Sequence, residues 1–150
     1  ADREQYDALR QANAENQNRQ VNIENRTLDV IYPGEQQSES DHFIRYEDSE
    51  TGNIDNRHFR KARGWFGYRV KTEDPAAYLA IVQHKNDANR SLILIDDEEL
   101  KGEPRVETID ENFVCLIYEL PPLKSGEHTV VFKPVEGKET ASVFEIRLLK

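Results

Sequence analysis

The chain has 150 residues, 37% of them apolar, and 29 acidic against 20 basic side chains give a formal net charge of −9. That length fits one domain, and the apolar residues concentrate after Phe59. Acidic and basic residues are interleaved, so no contiguous basic face is there to neutralise phosphates or anionic headgroups, which argues against nucleic acid and membrane surfaces as partners. No apolar run approaches the ~20 residues that cross a bilayer.

Residues 1–25 read as a weakly amphipathic helix and linker, with Tyr6, Leu9 and Val21 as almost the only apolar anchors. So little apolar area predicts a helix that packs on a neighbouring domain and whose loss costs little stability. The chain contains no methionine, even at position 1, and reads as a piece of something longer. Residues 26–150 read as the folded unit.

Within that unit, Thr27 to Tyr32 alternates as a strand and Pro33-Gly34 stops it. Glu35 to Asp41 is polar and reads as a loop. Further strands are expected at His42–Tyr46, His58–Arg63, Trp65–Lys71, Ala77–His84, Ser91–Ile95, Glu103–Thr108, Phe113–Leu120, His128–Pro134 and Ala141–Leu149. Turn chemistry separates them at Ser49–Asn53, Gly64, Asp74-Pro75, Asn86–Asn89, Gly102, Asp110–Asn112, Pro121–Gly126 and Glu136–Lys138. Short strands at this spacing, with no helical pattern between them, predict an all-β fold: a jelly-roll-like antiparallel β-sandwich with one N-terminal α-helix. Ala77 to Val82 and Val114 to Leu120 are apolar at successive positions, which places them centrally or beneath another element.

The residues offer little for catalysis. Cys115, the sole cysteine, lies in the run Phe113-Val114-Cys115-Leu116-Ile117 and reads as a small buried hydrophobe, without an intrachain disulfide or thiolate cluster. The carboxylates Glu35, Glu39, Asp41, Glu47, Asp48 and Glu50 could supply the acid pair of glycoside hydrolysis or simply be solvated loop residues, and spacing alone shows no such geometry. His42, His58, His84 and His128 are too far apart for a zinc motif, so no metal ligand is assigned. Calcium held by loop oxygens near Asp55 or Asp87 suits the residue types better. No nucleophile elbow or glycine-rich phosphate loop is present, and no catalytic residue is assigned.

Two constellations remain. In Trp65-Phe66-Gly67-Tyr68, Phe66 and Tyr68 share one strand face and Trp65 the other. A partly exposed Trp65 ring would stack on a sugar, whereas a covered one would belong to the helix or a neighbouring domain. A glycan would be held either by Trp65 or by a loop around Asn53–Arg57 or Lys85–Asn89, which makes Trp65, Arg57 and Asn53 the candidate ligand-binding residues. His42 and Arg60 are polar residues in apolar strands and call for a structural network, with Glu47 or Asp41 as partner to Arg60, because a buried charge survives only when paired.

The segment Arg26-Thr27-Leu28-Asp29-Val30-Ile31-Tyr32-Pro33-Gly34-Glu35-Gln36-Gln37-Ser38-Glu39-Ser40-Asp41-His42 resembles the C-terminal region of the β-L-arabinofuranosidase-like glycoside hydrolases (family 127 and relatives). So do Ser49-x-x-Gly52, His58-Phe59-Arg60-Lys61-Ala62, Trp65-Phe66-Gly67-Tyr68, and Asn89-Arg90 before the strand Leu92–Asp96. The resemblance implies a non-catalytic β-sandwich accessory domain that supports a catalytic domain of the parent chain, with periplasmic or extracellular export of that parent. None of the zinc-holding cysteines of that catalytic domain has a counterpart here. The alternative is a carbohydrate-binding module for plant polysaccharides, with an oligosaccharide as partner. Where the family pattern leads one to expect Asp-Gly, this chain has Asp96-Asp97-Glu98, which leaves the turn type open.

Overall fold

The computed structural model describes residues 23, 25–87, 91–136 and 138–150. In chain order they form β1 (Thr27–Ile31), α1 (Gln36–Asp41), β2 (Arg45–Ile54), β3 (Arg57–Thr72), β4 (Ala76–His84), β5 (Ser91–Ile95), β6 (Glu98–Glu99), β7 (Arg105–Thr108), β8 (Phe113–Leu123), β9 (Gly126–Pro134) and β10 (Glu145–Leu149). One sheet has the order β1-β10-β4-β8-β7 and the other β2-β3-β9-β5-β6, with every pairing between strands antiparallel. The expected two-sheet antiparallel sandwich is therefore present. The N-terminal helix, Tyr6 and Leu9 lie outside the described residues, as do Asn89-Arg90 and part of the Lys85–Asn89 loop.

The period-two alternation of strands builds the core. Phe66, Tyr68 and Val70 of β3, Val130 and Phe132 of β9, and Ile93 and Ile95 of β5 meet Leu79 and Ile81 of β4 and Ile146 and Leu148 of β10 between the sheets. Phe66 stacks on Phe132 with centroids 4.9 Å apart. The alternate residues Ala80, Val82, Cys115, Ile117 and Leu149 form a second buried cluster with Phe59, Phe113 and Phe144, and Ile23 packs against it. β4 is thus buried on both faces and β8 fully on one and partly on the other, in keeping with their unbroken apolar runs.

Several local expectations fail for long-range reasons. Gly64 does not break a strand. It sits within the 16-residue β3 at a bulge, where Arg63 and Gly64 lie opposite the single residue Asp48. A Cβ at Gly64 would sit 2.2 Å from the Glu47 carbonyl oxygen, so the backbones approach as closely as only glycine allows. Ser49–Asn53 is not a turn but the middle of β2, and His42 is the C-cap of α1 rather than the start of a strand. Glu35 to Asp41 holds α1 instead of a loop. The two-residue hairpin turns fall at Asp55-Asn56 and Asp96-Asp97, whose φ values of 52° and 64°, and of 52° and 69°, give both turns the primed geometry without glycine. Asp96 is held there by its side chain, which accepts the Thr129 N–H at 2.9 Å.

Candidate functional site

A polar network fixes α1 against the sandwich. Glu39 of α1 is 5% exposed and Arg60 of β3 8%; Arg60 donates Nε to Oε2 at 2.6 Å and Nη2 to Oε1 at 2.9 Å. Tyr68 donates its hydroxyl to the same Oε2 at 2.6 Å, and Arg60 Nη1 reaches Ser49 Oγ at 2.7 Å. The exposed Tyr46 ring lies over the guanidinium at 4.6 Å. Burial works against the Glu39 carboxylate, but the Arg60 and Tyr68 bonds outweigh it and hold the group below its ordinary range. Burial, together with the Glu39 charge, pushes Tyr68 far up, so its phenol stays a donor.

Arg60 thus pairs with Glu39, neither with Glu47 nor with Asp41. Glu47 accepts the Trp65 Nε1–H at 3.2 Å instead. His42 belongs to a second contact, with Asp29 of β1, at 2.8 Å. Asp29 also accepts the backbone N–H groups of Val30 and Lys71, which ties β1 to β3.

Trp65 is half-buried on the outer face of the β2–β3 sheet, opposite the core-facing Phe66. Arg57 and Asn53 sit at the far end of the same hairpin; eight residues of strand, about 25 Å, separate Arg57 from Trp65. The structure therefore does not bring Trp65 together with Arg57 and Asn53 in one site.

Arg57 instead lines a groove of about 260 Å³ at the end of the sandwich, with Tyr32, Pro33, Glu35, Asn56, His58, Phe144 and Glu145. Three chain segments meet there. The register Ile31↔Ile146 puts Tyr32 and Glu145 side by side, and the turn after Ile54 delivers Asn56, Arg57 and His58. Arg60 and Val143 exchange both backbone hydrogen bonds, which draws the segment before β10 onto β3. Gly34 (φ 86°) packs the segment from Tyr32 to Glu35 onto β3, since a Cβ there would lie 2.9 Å from His58 Cβ. Arg57 is preoriented, its guanidinium 4.6 Å from the Phe113 ring centroid and 3.9 Å from Asp110. Convergent donors and acceptors above the buried Phe144 and Pro33 suit a small polar ligand with apolar C–H faces.

A second groove of about 350 Å³ is lined by Asp48, Ser49, Glu50, Lys61, Ala62, Arg63 and Glu139. There Lys61 and Arg63 already hold Glu139 at 3.2 and 3.1 Å, so a ligand must displace existing ion pairs. Among the described residues no group of three or more His, Cys, Asp or Glu is gathered that could hold a metal ion. Asp55 lies in the hairpin turn, and Asp87 accepts the Ser142 N–H at 2.8 Å. No helix among the described residues is long and apolar enough to cross a membrane.

A family model matches residues 22–149. The chain belongs to DUF6805, a family described as of unknown function. No curated protein sequence matches it. Among solved structures, a family 35 carbohydrate-binding module from Clostridium thermocellum superposes with a TM-score of 0.60 at 16% identity, over 83% of this chain and 100% of that one. A family 6 carbohydrate-binding module from Clostridium cellulolyticum, in complex with xylose, gives 0.57 at 13% identity over 82% and 98%. An exo-β-1,3-galactanase from Phanerochaete chrysosporium gives 0.56 at 11% identity, over 81% of this chain but 29% of that one. At these identities the likeness is one of fold, a DUF6805 sandwich built like carbohydrate-binding modules. Of the residues singled out in the sequence, Arg57 and Glu35 line the groove at the end of the sandwich, the latter as a carboxylate with no partner legible; nothing local signals that Tyr32 at the end of β1 and Glu145 at the start of β10 meet the β2–β3 turn.

Proposed function

We propose that this DUF6805 domain is a non-catalytic carbohydrate-binding module that holds an oligosaccharide in the end groove. The observation that carries the reading is the groove itself, where Tyr32, Asn56, Arg57, His58, Glu35 and Glu145 converge above an apolar floor. Sugars need this mixture, planar hydrogen-bonding groups for hydroxyls and an apolar surface for the C–H face. The likeness in fold to family 35 and family 6 modules supports it, and the partial match within a galactanase supports an accessory place beside a catalytic domain. The resemblance of residues 26–42 to family 127 glycoside hydrolases supports an exported parent of that kind, periplasmic or extracellular, acting on plant polysaccharide.

The test is calorimetric titration of the purified domain with arabinan, xylan, galactan and pectin oligosaccharides. Saturable binding that Tyr32→Ala weakens at least about tenfold, a loss of ~1.4 kcal/mol, while Trp65→Ala leaves it intact, supports the groove. Binding lost in Trp65→Ala and kept in Tyr32→Ala moves the site to the outer sheet face. Silence from a folded sample across the panel overturns the carbohydrate reading.

A further inference from the structure

The loop that forms one wall of the groove is closed by a histidine whose two ring nitrogens both face acceptors. His42 Nε2 lies 2.8 Å from Asp29 Oδ1, and Nδ1 lies 2.8 Å from the Ser38 carbonyl oxygen. A neutral imidazole carries one N–H, so it satisfies only one of these oxygens; the imidazolium satisfies both. Between Asp29 and His42 run Tyr32, Pro33 and Glu35 of the groove and the whole of α1. Tyr32 itself donates its N–H to Ser38 Oγ at 2.9 Å, so the residue whose carbonyl faces His42 also anchors the groove wall.

Resting on the carbohydrate reading for its ligand, we propose that His42 is a proton-operated clasp: protonated, it ties residues 29–42 down and orders the groove wall, and its deprotonation loosens that wall and weakens binding. The groups that face His42 favour its proton. Asp29 comes from β1 and Asp41 from α1, both carboxylates. From β3, the Lys71 N–H bonds the second oxygen of Asp29, and the Arg69 N–H bonds the His42 carbonyl. The Arg69 and Lys71 side chains are exposed, and the Arg69 guanidinium lies over the Phe43 ring, 5.5 Å from its centroid. The Asp29 bond and charge raise the His42 pKa against the opposing effect of burial.

The clasp is read first without ligand, by following the ¹⁵N signals of the His42 ring and amide exchange at Tyr32 across a pH series in wild type, His42→Gln and Asp29→Asn. Expected are a ring with both nitrogens protonated below its pKa, a pKa above the ordinary ~6.5, and Tyr32 protection that falls as the ring deprotonates, in wild type alone. Asp29→Asn lowers the ring pKa even if His42→Gln proves too unstable to study. In titration with the tightest-binding oligosaccharide, affinity drops about fivefold or more across the same pH range, the lower end of ordinary coupling. A His42 that titrates at or below ~6.5, or Tyr32 protection indifferent to its titration, overturns the proposal. If no oligosaccharide binds at any pH, the carbohydrate reading fails, and the clasp stands or falls on the ring and amide measurements.

Discussion

Arg60 and Glu39 form a bidentate ion pair, with Nε and Nη2 at 2.6 and 2.9 Å from the two carboxylate oxygens, and both side chains are withdrawn from solvent. A six-residue helix with no apolar stripe has little reason to form alone. The pair, with Tyr68 and Ser49, is what docks α1 on β3, and a buried charge whose partner is removed is costly.

Glu39→Gln therefore destabilises the domain by about 3–5 kcal/mol, because Arg60 loses its counter-charge while remaining buried. Urea denaturation followed by tryptophan fluorescence measures this. A loss below about 1 kcal/mol, the ordinary worth of an exposed pair, would show that the guanidinium reaches water.

Stability falls as pH rises from neutral. His42 and His128 both have folded-state pKa values above the ordinary 6.5. For His42 the Asp29 bond is the main cause; for His128 burial opposes the shift, and the Asp96 bond, at 2.6 Å, outweighs it with help from the Lys124 carbonyl. In that window the native state holds more protons than the unfolded chain, so the slope of unfolding free energy against pH is negative. Their contribution is complete below about 6.5 and is lost as pH passes through the folded values. Asp29 and Glu39 titrate below their ordinary range, so their contribution is lost on the acid side. Melting temperature against pH should peak between about pH 5 and 6.5, and His42→Gln should flatten the alkaline limb.

Cys115 stays unreactive in the folded protein. The thiol is 3% exposed, and burial, with the nearby Glu145 and Glu107 charges, pushes its pKa up to about 12. An aromatic disulfide reagent at neutral pH should label it only at the rate of unfolding, and fast labelling without denaturant would show that the second buried cluster opens.

Gly34→Ala destabilises by more than about 1 kcal/mol, since φ is 86° and the new Cβ meets His58 Cβ and the Phe59 carbonyl oxygen at 2.9 and 3.0 Å. Because this contact seats the groove wall, sugar affinity should fall with stability. Thermal unfolding and calorimetry on one sample compare the two.

Alternation and turn residues determined much of this protein from the sequence alone: strands near β4, β5, β8 and β9, a core on both faces of β4, a buried Cys115 and an antiparallel sandwich. These features are local, because side chains alternate every two residues whatever the strand pairs with, and a five-residue run such as Ser91–Ile95 carries its own signature. Arg60 was legible as a buried charge needing a partner, but which carboxylate provides it depends on how α1 packs, across 21 residues of sequence. Gly64 reads locally as a break and becomes a bulge because Asp48 lies opposite it. Trp65 and Arg57, alternative ligand contacts in the sequence, lie far apart on one strand, whereas Tyr32 and Glu145, more than a hundred residues apart, share a groove through the pairing of β1 with β10. Strand register and sheet order decide such meetings, and those are set by the closing of the two sheets on a common core, a long-range choice that no local stretch of chain encodes.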